Sequence, residues 1–146
     1  MKTRFSSLVA IKKDAMQKRE RELQQALQNH ERAKEALHKS LKELQNIEQP
    51  NSGSMSQLLA NRTLLSRQRA IIQHNEEWLE FTKNEVQKAK ETLKAAMIEY
   101  EKFKYLELQE IEKVLKAQKQ AEVKHLDEIA LMTFGKKEPQ NKRRAS

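Results

Sequence analysis

Four histidines, His30, His38, His74 and His125, have the widest chemical range of any residues in this 146-residue chain. None belongs to an HExxH pattern and no two stand four positions apart. With no cysteine, no thiolate completes a zinc site. Carboxylates occur side by side at Glu76-Glu77 and Asp127-Glu128, a pairing that general acid/base chemistry can use. Adjacent residues of a helix point in different directions, however, so a solvated face is the expectation for both pairs. The two glycines, Gly53 and Gly135, lie 82 positions apart and cannot form a phosphate-binding loop. We therefore expect no catalytic, cofactor or metal site, and no enzyme.

The elements that carry these residues follow from what interrupts the chain. It has two glycines and two prolines, and one of each falls in EQPNSGS, residues 48–54. The others, Gly135 and Pro139, stand near the C-terminus. A charged fraction of 34% with only 5% aromatic residues favours long solvated helices over a thick core. Residues 1–146 are read as a single coiled-coil domain: helix 4–48, turn 49–55, helix 56–134 and basic tail 135–146. Pro50 disfavours helical geometry at Gln49, Gly53 can adopt positive φ, and Ser54 or Ser56 can cap the second helix. Gly135 is the expected stop. The apolar run near the N-terminus breaks at Lys12-Lys13-Asp14, too short for a signal-peptide core or a bilayer span, so a cytoplasmic location is expected.

A seven-residue beat runs through both helices. In the first, the a positions are Val9, Met16, Leu23, His30, Leu37 and Leu44. The d positions, Phe5, Lys12, Arg19, Ala26, Ala33, Ser40 and Ile47, make a weak side, which Leu27 and Leu41 widen. His30 reads as a register-setting polar residue rather than a ligand. The second helix carries Leu58, Leu65, Ile72, Leu79, Val86, Leu93 and Tyr100 at a, followed by Phe103 at d. A short connection between two such helices predicts an all-α fold, a long antiparallel coiled-coil hairpin with the second helix longer than the first. At 1.5 Å per residue the helices measure about 67 and 117 Å. Paired back from the turn, Phe5 should lie near residues 97–100. Beyond that the second helix should project alone, still carrying Phe103, Leu106, Leu108, Ile111, Val114, Leu115, Leu126, Ile129 and Met132, a surface that asks for a partner.

The net charge of +8 sits at the ends. Residues 1–21 hold seven Lys/Arg against two acids, and residues 136–146 hold five against one; residues 22–135 balance to −1. The clusters KRER (18–21) and NKRR (141–144) would suit nucleic acid loosely, but no asparagine-bearing basic region runs into a parallel zipper, and no nucleic-acid partner is expected. Leu64, Ile71 and Trp78 recur every seven residues beside the seam, with Gln68 and Asn75 between them. This stripe is either a broadened core against the first helix or a docking surface.

Taken together, these features resemble the flagellar export protein family FliJ. Residues 124–130, KHLDEIA, are similar to the family's C-terminal (L/M)DE-x-A segment, and Phe5, Leu8 and Lys12 to its N-terminal F-x-x-L…K pattern. The resemblance implies a stalk that inserts the end carrying both termini into the ring of a hexameric export ATPase. It also implies contact with the cytoplasmic domain of a membrane export gate protein, engagement of export chaperones, and a position peripheral to the inner membrane at the flagellar base. Carried over, the ATPase-facing residues are Phe103, Leu108, Ile111, Leu115, Leu126, Asp127, Glu128 and Ile129. The gate-facing stripe falls on Leu64, Gln68, Ile71, Asn75 and Trp78. Two other readings stay open: a self-associating coiled-coil scaffold whose overhangs pair, and the equivalent stalk of a virulence type III secretion system.

Overall fold

The computed structural model describes residues 2–47 and 53–145. Two helices account for nearly all of them: α1, Ser6–Gln45, and α2, Met55–Ala145. No strand occurs among the described residues. The expected turn falls largely on residues 48–52, outside the described ones.

Both helix starts are chemically defined. The Thr3 hydroxyl accepts from the Phe5 N–H at 3.1 Å, while the Thr3 N–H donates to Ser6 Oγ at 2.8 Å. The pair resembles a capping box, with a serine in place of the usual glutamate and the Thr3 hydroxyl on the amide two residues ahead rather than three. At α2 the choice between two serines is settled for Ser54, whose Oγ accepts from the Gln57 N–H at 3.3 Å and whose carbonyl accepts from Leu58 N–H. Gly53 does not use positive φ; a Cβ there would run into the flexible side chain of Gln57 instead.

The chain divides into two compact units. In the first, Ile11–Tyr100, α1 and α2 pack antiparallel. Ser40 meets Gln68, His30 meets Thr82 and Lys12 pairs with Glu99, so α1 numbers fall as α2 numbers rise. The heptads place the buried face correctly: Met16, Leu23, His30 and Leu37 at a are all at least half-buried. The weak d side proves to be the tightest part of α1, for Ala33 and Ser40 are its most buried residues. Small side chains let two backbones approach, and the larger Ile72 and Val86 of α2 complete the core. Burial of such a side chain stabilises by about 1.5–3 kcal/mol.

The second unit joins residues 1–10 to residues 101–146. Arg4 pairs with Glu110 at 3.7 Å, and its guanidinium lies 4.9 Å from the Phe5 ring centroid. Phe5 and Val9 are half-buried, as are Phe103, Leu106, Glu107, Glu110, Ile111 and Val114. Phe5 therefore lies with the α2 segment around Glu110, not with residues 97–100. The nine residues between Gln45 and Met55 make a connection longer than a tight turn, which lets α1 pair further along α2. The stretch of α2 whose side chains are all exposed begins at Leu115 rather than after Tyr100.

The expected stop at Gly135 is also corrected. α2 continues through it to Ala145, and Gly135 has no positive φ. One glycine in a helix costs about 1 kcal/mol, a penalty that does not by itself end a long helix.

Candidate partner-binding surfaces

Two faces of α2 carry the residues that the sequence singles out. The first lies in the unit Ile11–Tyr100 and does not form one continuous stripe. Gln68 is 7% exposed, and its Nε2 donates to the Ser40 carbonyl at 2.8 Å and to Glu43 Oε2 at 3.4 Å. Asn75 Nδ2 donates to the Ala36 carbonyl at 3.2 Å and to Ser40 Oγ at 3.1 Å. Ser40 Oγ in turn donates to the Leu37 carbonyl at 2.8 Å. Gln68 and Asn75 are thus turned toward α1. Leu64, at 50%, and Ile71, at 47%, face solvent, and Trp78 is half-buried beside them.

The heptad itself carried the signal for this split. Gln68 and Asn75 stand three residues after Leu65 and Ile72, which makes them d positions of the same seam. Thr82 is the next d position; it is 2% exposed and shares a hydrogen bond with His30 Nδ1 at 3.1 Å. His30 therefore meets a cross-helix partner, as a register-setting residue does.

The second face lies in the unit that holds residues 101–146. Phe103 and Ile111 are half-buried, whereas Leu108, Leu115, Leu126, Asp127, Glu128 and Ile129 are exposed. Leu108, Leu115, Leu126 and Ile129 are spaced by seven, eleven and three residues, intervals that return to one side of an α-helix. Leu126 is 64% exposed, and Val123, Leu131, Met132 and Phe134 add to the uncovered apolar area. Lys116, Lys119 and Lys124 border Val123 along a shallow strip. Exposed apolar side chains bordered by lysines are the kind of surface that partner-binding sites are built from.

Besides the pairs that cross to α2, some charged groups pair within one helix. Arg19 Nη1 donates to Glu22 Oε2 at 2.8 Å, and this hydrogen bond holds the Glu22 carboxyl below its ordinary range. Among the described residues, no group of three or more His, Cys, Asp or Glu could hold a metal ion.

No curated protein and no solved structure matches the chain. A family model described as flagellar FliJ protein matches residues 1–139.

Proposed function

The chain belongs to the flagellar FliJ family, and from that membership we propose that it is the non-enzymatic stalk and adaptor of a flagellar export apparatus. In this reading the α2 segment from Leu115 to Phe134 enters the ring of the hexameric export ATPase. The exposed series Leu115, Leu126 and Ile129 is the observation that carries it, because no part of α1 covers those side chains. Lysines along the strip and the basic ends of the chain steer association with acidic ring surfaces. A single chain within a ring contacts each subunit differently, so it favours one hydrolysing subunit over its neighbours through differential affinity.

The gate contact then falls on Leu64, Ile71 and the open side of Trp78, while Gln68 and Asn75 hold the hairpin together beneath them. Export chaperones are further partners in this reading. The protein works beside the inner membrane at the flagellar base, and no helix of the described residues is long and apolar enough to cross a membrane.

The test is ATP hydrolysis by the cognate export ATPase with the intact chain, with Leu115→Glu and with Leu126→Glu. Stimulation by the intact chain that both substitutions abolish, with helical content retained, supports the stalk. Normal stimulation by both variants sinks the ring assignment. A second reading, self-association through the same exposed leucines, is favoured by the intact chain sedimenting as a dimer that the two substitutions dissolve.

A further inference from the structure

The seam of the unit Ile11–Tyr100 contains a degeneracy. Leu65, Ile72, Leu79, Val86 and Leu93 repeat every seven residues along α2. Contacts of this kind decide which face of a helix is buried. They change little when one helix slides by a heptad, about 10.5 Å, along the other. A register one heptad closer to the turn is open to the chain, because the connection between Gln45 and Met55 is longer than the roughly two to five residues a tight helical hairpin uses. That register would set Ser40 beside Asn61 and bring the a-position residue Leu58, 45% exposed here, under α1. Residues 1–10 would at the same time move off Ile111 and Val114, so apolar burial alone does not decide against that register.

Directional contacts oppose it. Gln68 Nε2 reaches the Ser40 carbonyl at 2.8 Å, and Asn75 Nδ2 reaches both Ser40 Oγ at 3.1 Å and the Ala36 carbonyl at 3.2 Å. One heptad deeper in the hairpin, His30 Nδ1 and Thr82 Oγ1 lie 3.1 Å apart. After a seven-residue slide, Asn61, one methylene shorter than Gln68, stands at the Ser40 carbonyl, and His30 faces Asn75 in place of Thr82. Buried polar side chains at seam positions are the best-attested means of choosing one register among apolar equivalents.

We propose that Gln68 and Asn75, closing on Ser40 from two successive d positions, are the register lock of this hairpin. They hold α1 one heptad away from an alternative pairing and keep Leu58 and Leu59 uncovered at the start of α2. Release of the lock slides α1 by about 10 Å and covers Leu58, so the lock determines whether this surface is available. The inference rests on the seam alone and stands apart from the assignment of any partner.

The experiment measures one distance. The chain has no cysteine, so spin labels can be placed at the exposed positions Lys34 and Lys94 without background. The otherwise native chain should give one distance by pulsed electron paramagnetic resonance. Gln68→Leu with Asn75→Leu should add a second population about 10 Å longer, because α1 then moves toward the turn and away from Lys94. Should that variant associate through its new leucines, Gln68→Ala with Asn75→Ala provides the same reading. A single unchanged distance in a folded double variant overturns the proposal, as do two distances in the native sequence.

Discussion

Gln68 and Ser40 meet across the hairpin through a 2.8 Å hydrogen bond from a side-chain amide to a backbone carbonyl, and both residues are buried. The carbonyl belongs to α1 and keeps its place in that helix, so the amide occupies its second lone pair. This contact ties a polar side chain of α2 into a buried layer of the hairpin.

Gln68→Ala should lower the unfolding free energy by about 1–2 kcal/mol, the cost of a buried hydrogen bond removed from one side. Ile71→Asp, three residues along but facing solvent, should change it by no more than about 0.5 kcal/mol. Urea denaturation of the two variants decides this. Equal losses would mean that Ile71 is packed in solution.

The same pair separates holding from docking. Ile71→Asp should weaken binding to the gate's cytoplasmic domain without altering ATPase stimulation. Isothermal titration against that domain is the measurement, and unchanged affinity would remove Ile71 from the proposed contact.

Ala33 is fully buried between the helices. Ala33→Leu should force the backbones apart and cost about 1–3 kcal/mol, although it adds an apolar residue to a heptad position. A raised melting temperature would refute this account of close helix approach.

Gly135 lies within α2 without positive φ, and nothing stands within 4 Å of where its Cβ would be. Gly135→Ala should stabilise the end of α2 by about 1 kcal/mol, seen as slower amide exchange around residue 135. Faster exchange would show that the glycine is needed as it is.

Glu22 offers a check by pH. Its carboxyl is held below the ordinary glutamate range by the hydrogen bond from Arg19. A depressed carboxylate contributes stability above its unfolded value, and that contribution fades as pH falls through the folded value. Because both side chains are well exposed, the contribution is small. By NMR, Arg19→Ala should move the Glu22 midpoint upward; no movement would assign the shift elsewhere.

How much was legible in the sequence differs between helix faces and helix offsets. A period of seven defines an angle around the axis. Met16, Leu23, His30 and Leu37 were therefore recognisable as inward-facing before any coordinates, and so were Leu65, Ile72 and Val86. The uncovered apolar series was legible in part: the sequence placed it from Phe103 to Met132, and the structure leaves every side chain exposed only from Leu115 onward. The resemblance put Gln68 and Asn75 in the gate-facing stripe, whereas their d positions in the heptad match the hydrogen bonds they make to α1.

An offset along the axis is a different quantity, and a repeating pattern is nearly blind to it. Only the tertiary structure showed that Phe5 lies near Glu110, because that depends on the reach of two amides into one serine layer and on a connection longer than a tight turn. The sequence by itself determined two amphipathic helices, their antiparallel pairing and the surface left for a partner. The tertiary structure decided how far one helix slides along the other, since specific hydrogen bonds distinguish registers that periodic apolar contacts leave nearly equal.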